Sequence, residues 1–104
     1  MIAKTPSPPY YAVIFTSILH KQQEGYEEMA TKMIEIAAQQ EGFLGVESAR
    51  DGLGITVSYW KSLSDIQKWK NHSAHLLAQK RGKEEWYRAY KVRIASVERE
   101  YGQK

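Results

Sequence analysis

The residues best suited to chemistry gather in one stretch, Tyr59 to Gln79, which holds two of the three tryptophans and two of the three histidines. His72, His75 and Gln79 are spaced by three and four residues, so a continuous helix places all of them on one face. Imidazoles so placed can accept a proton near neutral pH or meet a ligand. The pair makes a poor zinc site, because no Asp or Glu stands nearby to complete three or four protein ligands. The plainer role for both histidines is a surface or half-buried position at a helix start. Trp69 closes an apolar stripe that begins with Leu63 and Ile66, which faces either the core or the wall of a pocket. Trp60 ends a strand on the face opposite Tyr59 and supports the helix that follows. Tyr11, Tyr26, Tyr59, Tyr87 and Tyr90 carry hydroxyls that a polar ligand can use. Packing explains most of them, and Tyr87 is expected to be exposed beside Trp86. Arg88 and Arg93 stand on or beside the last strand, where they meet either water or an anionic ligand.

The remaining residues exclude several chemistries. Cysteine is absent, so thiolate nucleophiles, disulfides and cysteine metal sites are ruled out. No glycine-rich phosphate loop exists, since Gly42, Gly45, Gly52 and Gly54 belong to turns and strand bends, and no serine sits in a nucleophile elbow. The formal charge is +3. Its basic residues Lys80, Arg81, Lys83, Arg88, Lys91 and Arg93 are interrupted by Glu84 and Glu85, which reads as a solvated face. A nucleic-acid partner would want a cleaner basic stripe, so none is expected. No apolar run approaches the roughly 18 residues of a membrane span, so no membrane partner is expected either. Met1 to Pro9 is polar and proline-rich rather than a signal peptide, and the expected location is cytoplasmic.

These side chains need a frame. A chain of 104 residues is one domain by size. We place the domain at residues 10–99, between a flexible arm at 1–9 and a polar tail at 100–104. Tyr10 to Leu19 is aromatic and β-branched, which favours a strand. Its Tyr11, Val13, Phe15 and Leu19 face one way and its Ala12, Ile14 and Ile18 the other, so both sides need cover, one of them from a second copy of the chain. Over residues 24–40 the period changes: Tyr26, Met29, Ala30, Met33, Ile36 and Ala37 form the apolar face of an amphipathic helix that stops at Gly42. Phe43 to Arg50 and Leu53 to Trp60 are strands joined by Asp51-Gly52, a hairpin turn. Leu53, Ile55, Val57 and Tyr59 alternate with Gly54, Thr56, Ser58 and Trp60; alternation says which residues share a face, not which face the helices cover. Ser62 caps the next helix, with Asp65 three residues on. That helix is expected to break near Asn71, restart at Ser73 and end at Gly82. Trp86 to Val97 is the last strand. The order β-α-β-β-α-β is the ferredoxin-like α+β arrangement: one antiparallel sheet with helices on one face. The other face must be buried, and two such sheets packed together form a dimeric α+β barrel.

Four segments carry a likeness beyond this pattern. They are Glu41-Gly42-Phe43, Trp60-Lys61-Ser62, Trp69-Lys70-Asn71-His72-Ser73-Ala74-His75 and Tyr87-Arg88-Ala89-Tyr90. In them, and from about Tyr10 to Arg99, the chain resembles the antibiotic biosynthesis monooxygenase family of dimeric α+β barrels. The resemblance implies a homodimer and a small aromatic ligand. In the quinone-forming branch it implies oxygenation of an aromatic or quinol-type metabolite without metal or flavin. On that reading Trp69 is the aromatic wall, His72 the proton acceptor, Tyr59 a hydrogen-bonding phenol and Arg88 the stabiliser of an anion. The haem-degrading branch implies haem as ligand and Trp69 as a haem-pocket residue. Here Gln79 stands at that branch's axial histidine and Phe15 at its pocket asparagine, and His75, one turn before Gln79, is the available substitute. A third possibility is a non-catalytic protein that binds a small ligand on the same fold.

Overall fold

A computed structural model describes residues 1–21, 24–79 and 86–103, leaving aside the side chains of 77–79. The chain runs β1 (Tyr10–Leu19), α1 (Tyr26–Ala37), β2 (Phe43–Asp51), β3 (Leu53–Trp60), α2 (Leu63–Gln79) and β4 (Tyr87–Val97). The four strands form one antiparallel sheet in the order β2-β3-β1-β4. This is the expected β-α-β-β-α-β arrangement. The central position of β1 explains why it is apolar on both sides, with Ala12 and Tyr10 buried.

The helices start and stop for local reasons. α1 begins after Gly25, whose φ of 83° suits a residue without Cβ, and Glu27 and Glu28 in its first turn oppose the positive end of its dipole. It winds down through Gln40, and Gly42 at φ 84° turns the chain into β2. Gly42 is also required by space: a Cβ there would lie 2.1 Å from the Asp65 carboxylate. Gly52, at φ 77°, makes the tight turn between β2 and β3. The Ser62 hydroxyl accepts the Asp65 backbone N–H at 3.1 Å and donates to its carboxylate at 2.7 Å, so the expected cap is present.

Two expectations are corrected, the break in α2 and the exposure of Tyr87. α2 is continuous through Asn71 and Ser73. The weak helix propensity of Asn, His and Ser amounts to tenths of a kcal/mol each, roughly half a kcal/mol at most, and their side chains find partners along the helix: Gln67 donates to Asn71 at 3.3 Å and Ser73 to the Lys70 carbonyl at 3.2 Å. The arm before β1 makes hydrogen bonds in the structure. The Ala3 N–H donates to Glu47 at 2.9 Å, and the Thr5 hydroxyl shares its one proton between the Tyr10 hydroxyl at 2.9 Å and Glu100 at 3.0 Å. Tyr87 is half-buried, not exposed. The helix end at Gly82 and the basic residues Lys80, Arg81 and Lys83 lie outside the described residues. Among the described residues no helix is long and apolar enough to cross a membrane.

Candidate functional site

The strand registers decide which residues lie under the helices. β1 pairs Val13 with Ser58, Phe15 with Thr56 and Ser17 with Gly54. On its other side it pairs Val13 with Ile94 and Phe15 with Val92. β2 pairs Val46 with Ser58 and Ser48 with Thr56. All of these side chains point towards α1 and α2. The set from the middle of β2 and β3 is small and, apart from Val46, polar, so the floor does not fill the space below the helices. Leu53, Ile55 and Val57, the large apolar residues of β3, point to the opposite side.

The result is a cavity of about 340 Å³ between sheet and helices. Ser48, Thr56 and Ser58 form its floor. Met29, Ala30 and Met33 of α1 and Ile66, Trp69, Ser73 and Ala74 of α2 form two walls, and Tyr87, Tyr90, Val92 and Ile94 line it along β4. The floor hydroxyls are engaged: Ser48 and Thr56 share a hydrogen bond at 3.0 Å, and the Ser58 hydroxyl accepts the Trp60 indole N–H at 2.9 Å.

Aromatic rings stiffen both ends. At one end Trp60 is wholly buried, packed with Ala37 and Ile66. It meets Phe43 edge-on at 5.5 Å and stacks with Trp69 at 6.0 Å. Trp69 lies between this core and His72, whose ring is 5.9 Å away. At the other end Phe15 stacks on Tyr90 at 5.7 Å and meets Tyr87 edge-on at 5.4 Å. Tyr87 in turn meets Tyr26 at 5.8 Å. Trp86, buried beyond it, donates its indole N–H to the Glu24 carbonyl at 3.0 Å and so fixes the approach to α1. Burial, and then the neighbouring Tyr26 hydroxyl, hold the Tyr87 phenol well above its ordinary value, while Arg50 works in the opposite direction.

The residues singled out from sequence separate here. Phe15 and Trp69 both line the cavity. His72 is exposed and reaches the site through its contact with Trp69, and His75 is exposed on the same helix. Tyr59 lies on the far face of the sheet, away from the cavity. It donates to Glu47 at 2.6 Å, and burial together with that carboxylate pushes its phenol up to about 12. The Glu47 carboxyl is lowered in turn, first by Tyr59 and then by the Ala3 N–H. Arg88 is exposed at the β-bulge where the β1–β4 register shifts, and it does not line the cavity. The side chain of Gln79 lies outside the described residues.

Sequence reasoning missed Arg50 and, as members of a common site, Tyr26 and Tyr87. The signal for Arg50 was its place in register with Gly54, a small residue that leaves room above the sheet for a long side chain. Neither described histidine of α2 is on the cavity wall and Phe15 replaces a polar group, so the described residues do not offer the haem ligand set. No group of three or more His, Cys, Asp or Glu that could hold a metal ion occurs among the described residues.

Known proteins place this geometry in context. A family model described as antibiotic biosynthesis monooxygenase matches residues 9–81. The uncharacterized protein YqjZ of Bacillus subtilis (strain 168) is 52% identical over 101 residues, which span 95% of this chain and 89% of that protein. A crystal structure of SnoaB, a cofactor-independent oxygenase from Streptomyces nogalater, superposes with a TM-score of 0.74 at 9% identity and covers 90% of this chain and 98% of its own. That of PA3566 from Pseudomonas aeruginosa gives 0.70 at 18% identity, covering 92% and 99%. At such identities the two superpositions show the fold alone.

Proposed function

The chain belongs to the antibiotic biosynthesis monooxygenase family, and from that premise we propose that it oxygenates a small aromatic or quinol-type metabolite without a cofactor. The observation that carries this reading is the cavity, whose walls are aromatic and aliphatic and whose floor is a row of hydroxyls. Its volume of about 340 Å³ suits a small polycyclic ligand. SnoaB, named as a cofactor-independent oxygenase, shares the fold and so adds context.

The chemistry asked of such a site is modest. A phenolic substrate, once deprotonated, can pass an electron to dioxygen. In the net reaction one oxygen atom replaces the hydrogen of a ring C–H as a carbonyl, the phenolic oxygen becomes the second carbonyl, and the other oxygen atom leaves as water with the C–H hydrogen and the phenolic proton. The protein must orient the ring, stabilise the anionic form and keep bulk water out. Trp69, braced by Trp60 and Ile66, is the wall that orients it. His72 touches Trp69 but does not line the cavity.

We also assign the uncovered sheet face to a second copy of the chain. Ile14, Ile18 and Val57 lie there with Leu53 and Ile55, which are 48% and 42% exposed. A face of β-branched residues in the middle of a sheet is costly to leave in water.

Oxygen uptake with anthrone- and hydroquinone-type substrates tests the activity. Uptake above the uncatalysed rate is expected with at least one of them, falling roughly tenfold or more in Trp69→Ala as the ring loses its orientation. No catalysed uptake across the series would leave a binding protein, not an oxygenase.

A further inference from the structure

One end of the cavity is polar. Arg50 leaves β2 on the helix side and its guanidinium lies across β3 at Gly54. A Cβ at Gly54 would fall 2.1 Å from Arg50 Cζ, so the glycine is what lets the arginine lie there. The guanidinium donates to the Ser17 hydroxyl at 2.6 Å, to the Ser17 carbonyl at 3.2 Å and to the Tyr26 hydroxyl at 3.4 Å. It also sits 5.6 Å from the centre of the Tyr26 ring. Ser17 is 1% exposed, which makes it a fixed anchor for this arginine. These partners are all neutral, so none of them cancels the charge.

Arg50 is not on the cavity wall, but Tyr26 and Tyr87 are. The Tyr87 hydroxyl hydrogen-bonds to that of Tyr26, and the two rings meet edge-on at 5.8 Å. The Tyr26 oxygen thus accepts an N–H from Arg50 and shares a hydrogen bond with the Tyr87 hydroxyl. Two hydroxyls bring two protons to that one shared bond, so one proton is left for a third group. A guanidinium behind that hydroxyl favours an acceptor that carries negative charge.

We propose that Tyr26, backed by Arg50 and Tyr87, is where the cavity receives an anionic oxygen of a planar aromatic ligand. Tyr26 touches the ligand, and Arg50 acts through it as a positioning residue. This rests on the cavity being a ligand site, as proposed above, but not on the ligand being oxidised. The competing cation is Lys70, which lines the cavity from α2.

The test uses 1-naphthoate and 1-naphthamide, near-isosteric aromatics of which one is anionic and one neutral, titrated calorimetrically. The unmodified protein is expected to prefer the naphthoate. Arg50→Gln should weaken naphthoate about tenfold and naphthamide less than about twofold, with a loss of naphthoate binding at least as large in Tyr26→Phe, through whose hydroxyl Arg50 acts, and none in Lys70→Gln. Naphthoate preference that survives Arg50→Gln overturns the assignment. So does preference lost in Lys70→Gln, or an equal loss of both probes in Arg50→Gln, which marks a role in folding alone. If neither probe binds the unmodified protein, this assignment and the cavity reading both fall. Selective naphthoate binding without any oxygen uptake leaves the assignment standing and removes the oxygenase.

Discussion

Individual residues divide into those that shape the cavity and those that face elsewhere. Trp69 shapes it and His72 does not, although the two stand three positions apart on one helix. Oxygen uptake should therefore separate them: Trp69→Ala removes the wall, whereas His72→Ala changes uptake by less than about threefold, since a general base must lie within hydrogen-bond reach of its proton. A large loss in His72→Ala would put the imidazole in the chemistry. Gly54 is sensitive for another reason. Gly54→Ala displaces the Arg50 guanidinium from buried Ser17, a loss of hydrogen bonds that costs about 1–2 kcal/mol. Denaturant unfolding should show that cost largely vanish in an Arg50→Gln background, because both changes remove the same contacts. The Tyr59–Glu47 pair gives a pH signature at both extremes. The Glu47 carboxyl is lowered on folding, so its contribution is present above the ordinary carboxylate value of 4.5 and is lost as pH falls through its lowered value. The Tyr59 phenol is raised from 10.0 to about 12, so its contribution is complete below pH 10 and disappears as pH rises towards 12. Tyr59→Phe should make thermal stability flatter at both ends.

Among the elements, α2 and β3 carry the main lessons. The polar run Asn71-His72-Ser73 invites a helix break, yet propensity is a weak force beside a helix of 17 residues packed through Ile66 and Trp69. Because Asn71 is exposed and inside a helix, Asn71→Ala should stabilise by a few tenths of a kcal/mol. A lower melting temperature in Asn71→Ala would contradict the continuous helix. At the helix start, Ser62→Ala removes both bonds with Asp65 and should cost about 1 kcal/mol. In β3 the period of two was plain, but its meaning ran against the usual rule: the polar set Gly54, Thr56 and Ser58 lies under the helices and the apolar set faces away. A strand that turns its polar side inward leaves room for a ligand, and one that turns its apolar side outward asks for a partner.

For the whole molecule that partner is the second copy assigned above. Light scattering should give a dimer, and Ile55→Glu, which places a charge on the outward face, should yield a monomer with the fold retained. A monomeric unmodified protein would contradict the assignment. The ends of β1 and β3, the amphipathic run of α1, the Ser62 cap and the Asp51-Gly52 turn were all legible in the chain, because hydrophobic period, capping and turn chemistry act over a few neighbouring residues. Together with the segments around Trp60, Trp69 and Tyr87 they were enough to indicate the fold and the family. Trp69 stood out because it closes an apolar stripe on its helix, which left core and pocket wall both open, whereas Phe15 was picked out through the family resemblance. Tertiary structure decided the rest: that Tyr59 and Arg88 stand apart from the cavity, that Tyr87 lines it, and that Arg50 reaches over Gly54 to Ser17 and Tyr26. Those outcomes depend on strand register and on which sheet face the helices cover. Register brings together residues as distant in the chain as Ser17 and Arg50, and local sequence preferences carry no information about contacts across that separation.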